Sequence, residues 1–319
     1  MCTCKELQKV TSSVVRSDAC LTSDSGGVKT RPCIVMLHSS MSNRRQWRRL
    51  VEQLEEDYRV IAIDLIGYGE SAMPLERCTF GLEHEVEHVL QVLSSQPQPV
   101  ERFHLIGHSY GGAVALKLAH AQASRIRSLL LYEPTSFHLL PRHHPALSAV
   151  KEVAAIVEES ASIGVDLAAA LISTEAFIDF WNGVGSFASM PEHDQVRMAK
   201  ALPKTALDFQ ALFNDSLTAE DYRELAVSTC VISGSNSPNC AHQIVAVLAE
   251  VLPMRELRWV PAGHMAPVTH SHLVNPMVKA FLESVEAMSA SVSQSPELLV
   301  PTLPSIRRTQ TYGLATPTC

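Results

Sequence analysis

Charge is scarce in this chain. Of 319 residues, 18% are charged, 26 basic against 33 acidic, for a net charge of −7. No basic stripe runs through the sequence, which argues against a nucleic-acid partner. The nearest approach, Arg44-Arg45-Gln46-Trp47-Arg48-Arg49, sits where a helix should begin and reads as a solvated helix face. Apolar runs never reach the length of about 18 residues that a membrane span needs, so none is expected. The opening residues Met1-Cys2-Thr3-Cys4-Lys5 lack the apolar centre of a secretory signal. Cys319 is not the fourth residue from the end, so it does not fit a prenylation box and none is expected. The eight cysteines are irregularly spaced and none forms a C-x-x-C pair. No zinc site, and no other metal or cofactor, is therefore expected. A reducing cytoplasm is the expected compartment.

Hydrophobic mass is plentiful. At 46% hydrophobic residues the chain can bury a large core, as one large α/β domain or two smaller ones. Residues 1–30 show no clear period and read as an extension of unknown order. From Pro32 the pattern sharpens. Ile34-Val35-Met36-Leu37, Tyr58 to Ile63, Arg102 to Ile106 and Ile126 to Tyr132 read as short strands buried on both faces. Gln46 to Leu54, Glu83 to Leu93 and Gly112 to His120 read as the helices between them. This alternation predicts an α/β fold, a mostly parallel sheet with helices on both faces.

The alternation stops at Glu133-Pro134 and resumes with a strand at Ser228 to Ser233, a helix at Ala241 to Leu252, a strand at Glu256 to Val260 and a closing helix at Val274 to Met288. Residues 31–134 and 228–288 thus form the expected core. The mostly helical stretch 135–227 is an inserted helical lid, expected over the strand ends where α/β sites lie. Residues 289–319, rich in Ser, Pro and Thr, are expected to be a poorly ordered tail.

One stretch carries chemistry. Gly107-His108-Ser109-Tyr110-Gly111 has the form G-x-S-x-G, between a predicted strand and a predicted helix. Such a turn gives the serine a strained, exposed position near a helix N-terminus, whose N–H groups can stabilise an anion. The glycines avoid collision with the flanking strand and helix. A bare G-x-S-x-G also arises by chance, so a base must be found. Among fourteen histidines, His264 in Pro261-Ala262-Gly263-His264 follows the last predicted strand and opens at the same sheet edge as Ser109. The glycine before it allows a close turn; the competing reading is a loop histidine without a role.

With Leu37-His38 after the first buried strand, Asp64-Leu65-Ile66-Gly67-Tyr68-Gly69 after the second, Gly107 to Gly112, and Gly263-His264, the chain resembles the lid-bearing serine hydrolases of the α/β-hydrolase superfamily, over roughly Pro32 to Leu282. The resemblance implies Ser109 as nucleophile, His264 as base, and an oxyanion hole from the N–H groups of Tyr110 and Ser40. Asp64 is expected to serve a structural turn. Two departures stand out: Ser39 replaces the family's glycine after His38, and Ser237 replaces the acid of a Gly-x-x-Asp, here Gly234-Ser235-Asn236-Ser237. Either the acid comes from elsewhere or the triad is lost; the expected substitute is Glu133, at the end of the strand after the nucleophile's helix, as in certain relatives. Its competing readings are a strand cap or the partner of a lid cation.

The activity implied is hydrolysis of a carboxylic ester or related acyl bond through an acyl-enzyme, on a small, apolar acyl substrate. The alternatives are acyl transfer, carbon–carbon bond hydrolysis, and a non-catalytic binding protein that kept the fold. Chemistries needing an aspartate nucleophile are disfavoured by the serine at 109. Phe177, Phe180, Trp181, Phe187, Met190, Phe137, Leu139 and Leu140 are candidates for the pocket wall, with packing inside the lid as the competing role. His143-His144 reads as surface.

Overall fold

The apolar runs become strands with both faces covered. In the computed structural model, which describes residues 15–16, 31–162 and 166–293, the strands are β1 (Val15–Arg16), β2 (Cys33–Leu37), β3 (Arg59–Ile63), β4 (Phe103–His108), β5 (Ile126–Tyr132), β6 (Thr229–Gly234) and β7 (Met254–Val260). They lie in the order β1-β3-β2-β4-β5-β6-β7. β1 pairs antiparallel with β3, and every other pairing is parallel.

Alternate residues of a strand face opposite sides, so β2 to β6 each feed two cores. Val35, Leu37, Ile61, Ile63, Leu105, Leu129 and Val231 belong to one. Ile34, Met36, Val60, Ala62, Ile106, Leu130 and Ile232 belong to the other. The first core is closed by helices α2 (Leu82–Ser94), α3 (Tyr110–Ala121) and α8 (Asn239–Val251). The second is closed by α1 (Arg48–Leu54) and α10 (Ser271–Ser293), with Val274, Val278, Phe281, Leu282 and Val285 on the buried stripe of α10.

Between β5 and β6 lie α4 (Pro145–Ser162), α5 (Leu167–Asn182), α6 (Glu192–Lys200) and α7 (Leu202–Phe213). α4 packs on α5 and α7, and its Leu147, Val150, Val153, Ala154 and Val157 join the first core. A short α9 (Ala266–Thr269) follows β7.

Several details depart from the sequence expectation. α10 continues to Ser293, beyond the expected end near 288; residues 294–319 of the expected tail lie outside the described residues. Within the expected N-terminal extension, Val15 and Arg16 pair with Ala62 and Ile61. The arginine cluster is not wholly solvated. Its first residues form a 3-10 turn that buries Arg44 and Trp47, and the Arg44 guanidinium pairs with Asp64 and, at 2.9 Å, with Glu70. Asp64 also accepts from the Arg44 N–H at 2.7 Å and the Glu70 N–H at 3.0 Å. It thereby ties the turn after β3 to the start of α1.

Candidate active site

Ser109 is the single residue between β4 and α3, with φ 54° and ψ −118°. A positive φ costs a non-glycine residue about 1–3 kcal/mol and persists only where surroundings enforce it. Here the Ser109 N–H donates to the Tyr132 carbonyl at 3.0 Å, and its own carbonyl accepts from the Thr135 N–H at 3.2 Å. The neighbouring glycines let backbones close around the turn. A Cβ on Gly107 would lie 2.7 Å from Gly112 Cα and 2.8 Å from Ala115 Cβ, and one on Gly111 would lie 2.7 Å from the Leu37 carbonyl carbon. The hydroxyl therefore emerges beside the N–H of Tyr110, the first amide of α3, which has no acceptor within its own helix.

The loop between β7 and α9 brings His264 to this serine. His264 Nε2 is 2.8 Å from Ser109 Oγ, and His264 Nδ1 is 2.7 Å from Glu133 Oε2. A carboxylate only accepts, so the imidazole proton sits on Nδ1 and Nε2 is free to accept from the serine. The loop is held from several sides. Tyr132 Oη donates to the Gly263 carbonyl at 2.9 Å, and His108 Nε2 donates to the His264 carbonyl at 2.9 Å. The Trp181 ring stacks on the His264 imidazole, centroids 4.2 Å apart at 27°. Burial pushes His108 down to about 3, so it stays a neutral donor. Gly263 is not needed for a close approach. A Cβ there would meet only the Asn236 carbonyl, at 3.8 Å, and its φ is not positive.

Glu133 emerges between the ends of β5 and β6, which are neighbours in register, Tyr132 beside Ile232. Its Oε1 accepts from Gly234 N–H at 2.7 Å and Ser233 Oγ at 2.9 Å. The chain turns there at φ 42°. Burial alone would raise its pKa. The hydrogen bond and charge of His264, with the Gly234 amide, outweigh burial and hold the carboxyl below its ordinary range.

Ser40 lies in the loop after β2, where the left-handed position is taken by Met41, φ 57°, and not by Ser39. Gln46 Oε1 accepts from the Ser39 N–H at 3.1 Å and its hydroxyl at 2.9 Å. Ser40 Oγ donates to Asp208 Oδ2 at 2.6 Å.

Ser40 and Ser109 share one pocket with Thr135, Phe137, Phe177, Trp181, Thr205, Asp208, Phe209 and Leu212. Of the aromatic candidates read from sequence, Phe137, Phe177 and Trp181 line it. Phe180 packs edge-on against Trp181, while Phe187, Leu139 and Leu140 are buried in the first core and Met190 packs against it. The contribution of α7 was missed. Its inward stripe carries Thr205, Asp208, Phe209 and Leu212, and the only sequence signal was the Lys204–Asp208 pair at i,i+4, which reads equally well as a solvated face. The free space over Ser109 is small, about 10 Å³, close to the least that admits one water. Among the described residues, no group of three or more His, Cys, Asp or Glu is placed to hold a metal ion, and no helix is long and apolar enough to cross a membrane. His143 is exposed.

A strained serine at the strand–helix turn of a parallel sheet, met by a histidine from the last strand's loop, has a match in sequence. The family model described as alpha/beta hydrolase fold covers residues 32–271. The chain belongs to this family. Among relatives, this alpha/beta hydrolase is 29% identical to Epoxide hydrolase 4 of Mus musculus over 123 residues, 38% of this chain and 34% of that one. It is 33% identical to 2-hydroxymuconate semialdehyde hydrolase of Pseudomonas sp. (strain CF600) over 101 residues, 31% of this chain and 35% of that one. The matches thus span about a third of the length of these curated relatives. In three dimensions the chain resembles a thermophilic esterase from Thermogutta terrifontis, with a TM-score of 0.64 at 20% identity, over 80% of this chain and 91% of that one. That likeness is one of fold. Family membership and relatives named as hydrolases mark the chain as an enzyme.

Proposed function

We propose that this alpha/beta hydrolase is a serine hydrolase that cleaves a carboxylic ester or related acyl bond through an acyl-enzyme. The observation that carries this reading is the unbroken line Ser109–His264–Glu133, with contacts of 2.8 and 2.7 Å. A hydroxyl is a weak nucleophile until a base removes its proton as it attacks. Ser109 Oγ attacks the substrate carbonyl while His264 Nε2 takes the proton, and Glu133 stabilises the imidazolium that forms. The N–H groups of Tyr110 and Ser40 hold the tetrahedral oxyanion. His264 returns the proton to the leaving alcohol. Water then attacks the acyl-serine, His264 takes a water proton and passes it to Ser109 Oγ, and the carboxylic acid leaves.

Phe137, Phe177, Phe209 and Leu212 in the pocket wall support an apolar substrate group. Residues 135–227 act as the lid in this reading. The pocket beside Ser109 is walled from α5 by Phe177 and Trp181 and from α7 by Thr205, Asp208, Phe209 and Leu212, so in this reading those helices cover the serine. Serine at 109 counts against an attack by a carboxylate nucleophile. The compartment proposed with this activity is the cytoplasm, in keeping with the unpaired thiols of Cys33, Cys230 and Cys240. A fluorophosphonate probe should label the protein, and Ser109→Ala should abolish both labelling and turnover across a panel of esters, thioesters and lactones. Labelling or turnover that survives Ser109→Ala refutes the proposal. Product analysis with added alcohol separates hydrolysis from acyl transfer.

A further inference from the structure

From Asp208 in the pocket wall a buried set of charges runs inward that this mechanism leaves unused. Lys204, Asp208 and Glu85 are each at most 1% exposed. The Lys204 ammonium donates to Asp208 Oδ1 and, at 3.1 Å, to Glu85 Oε1. It sits among the rings of Tyr68, Phe80 and Tyr110, 4.9, 4.8 and 4.6 Å from their centroids. Buried charges are costly unless geometry and hydrogen bonds are well matched, so such a cluster resists rearrangement. It joins α2, which carries Glu85, to α7 of the insert.

The two carboxylates also hold hydroxyls, one on Glu85 and two on Asp208. Glu85 Oε1 accepts from Tyr110 Oη at 3.0 Å. Asp208 Oδ2 accepts from Ser40 Oγ at 2.6 Å and from Tyr68 Oη at 2.5 Å. Tyr110 and Ser40 are the two residues whose backbone N–H groups face the oxyanion in the serine-hydrolase reading. One ammonium therefore links both, through one carboxylate each. The Ser40 loop is also held through Ser39, whose N–H and hydroxyl donate to Gln46 Oε1 and whose carbonyl accepts from His38 Nδ1 at 2.7 Å.

We propose that Glu85–Lys204–Asp208 is a clamp that sets the gap between the two oxyanion donors, acting through the Tyr110 and Ser40 hydroxyls, with Lys204 and Asp208 as positioning residues supplied by the insert. The proposal rests on the serine-hydrolase reading. Its chemical reason is that oxyanion donors act only when held at the place where charge develops, and small misplacements cost large factors in rate.

The test uses Tyr110→Phe and Ser40→Ala in the full chain. Each deletes one oxygen and leaves the backbone amide and the ion cluster in place. Each variant should lower kcat about ten-fold with KM within about two-fold. A trifluoromethyl ketone, which adds to the serine as a tetrahedral oxyanion, should lose affinity by the same factor. Ser40→Thr, which keeps the hydroxyl, should recover most of the loss. Unchanged kcat and unchanged ketone affinity in both variants overturn the clamp, as does a rise in KM alone or a fall in Tm alone. Ser109→Ala separates the two levels. If it is inactive while Tyr110→Phe and Ser40→Ala match the parent, the clamp falls and the serine mechanism stands; if it still turns over ester, both fall.

Discussion

Replacing Glu133 by Gln changes one atom and reverses the hydrogen-bond logic of the site. Oε1 of Glu133 accepts from Gly234 N–H and Ser233 Oγ, at 2.7 and 2.9 Å. A glutamine must keep its carbonyl oxygen toward those two donors, because its NH2 would leave both unpaired. The NH2 then faces His264 Nδ1, which has to become an acceptor. The imidazole proton moves to Nε2 and points at Ser109 Oγ, so the base is blocked. A wrong tautomer of this kind costs on the order of 10⁴ in kcat, or about 5.5 kcal/mol. Stability should change far less, by about 1–2 kcal/mol, since one charge-assisted hydrogen bond becomes a neutral one. The assay is kcat on a chromogenic ester beside a denaturant titration of the same variant. A kcat within ten-fold of the parent in a folded Glu133→Gln protein would falsify the assignment of Glu133 as the acid. Glu133→Asp should fall between, because it retains the charge and withdraws it by one methylene.

Acidification should weaken the fold from about pH 6.5 downward, where histidines of the unfolded chain begin to bind protons. Burial pushes His38 and His104 down to about 4 and His108 to about 3, so all are neutral in the fold at pH 5 while their unfolded counterparts, near 6.5, bind protons. Their contribution is complete above about 6.5 and is lost as pH falls toward the folded values, on the order of 3 kcal/mol for each by pH 4. The lowered Glu133 pKa acts in the same direction below its ordinary value. A urea midpoint that stays level from pH 7 to 4 contradicts this. Gly111→Ala should destabilise by at least about 3 kcal/mol, since its Cβ meets backbone of Leu37 and His38. Gly263→Ala, with nothing nearer than 3.8 Å, should leave the melting temperature nearly unchanged; equal losses at the two sites would show that steric contact is not what these glycines relieve.

Much of the fold was legible because its strands are covered on both sides. Val35-Met36-Leu37 and Leu129-Leu130-Leu131 are continuous apolar runs since alternate residues serve two cores, and such runs stand out between helical periods. The serine turn was legible because Ser109 and its two glycines stand within five residues, between a strand period and a helical one, although the contact that Gly111 relieves, with Leu37 and His38, is distant in sequence. The helix α7 was less so. Its buried stripe mixes Lys204, Thr205 and Asp208 with Phe209 and Leu212, and a polar residue buried by long-range pairing looks on paper like one facing water. Arg44 misled for the same reason, its partners being Asp64 and Glu70.

By itself the sequence determined the order of elements, the strained serine and the loop that carries His264, since each follows from local chain chemistry. Tertiary structure decided what no local pattern encodes. It placed the end of β5 beside that of β6, so that Glu133, one of several readings open in the sequence, meets His264 and finds Ser233 and Gly234 as donors. It also brought residues 40, 85, 110, 204 and 208 into one hydrogen-bonded cluster. Hydrogen bonds and ion pairs between distant residues depend on how the layers stack, and stacking is a property of the whole chain.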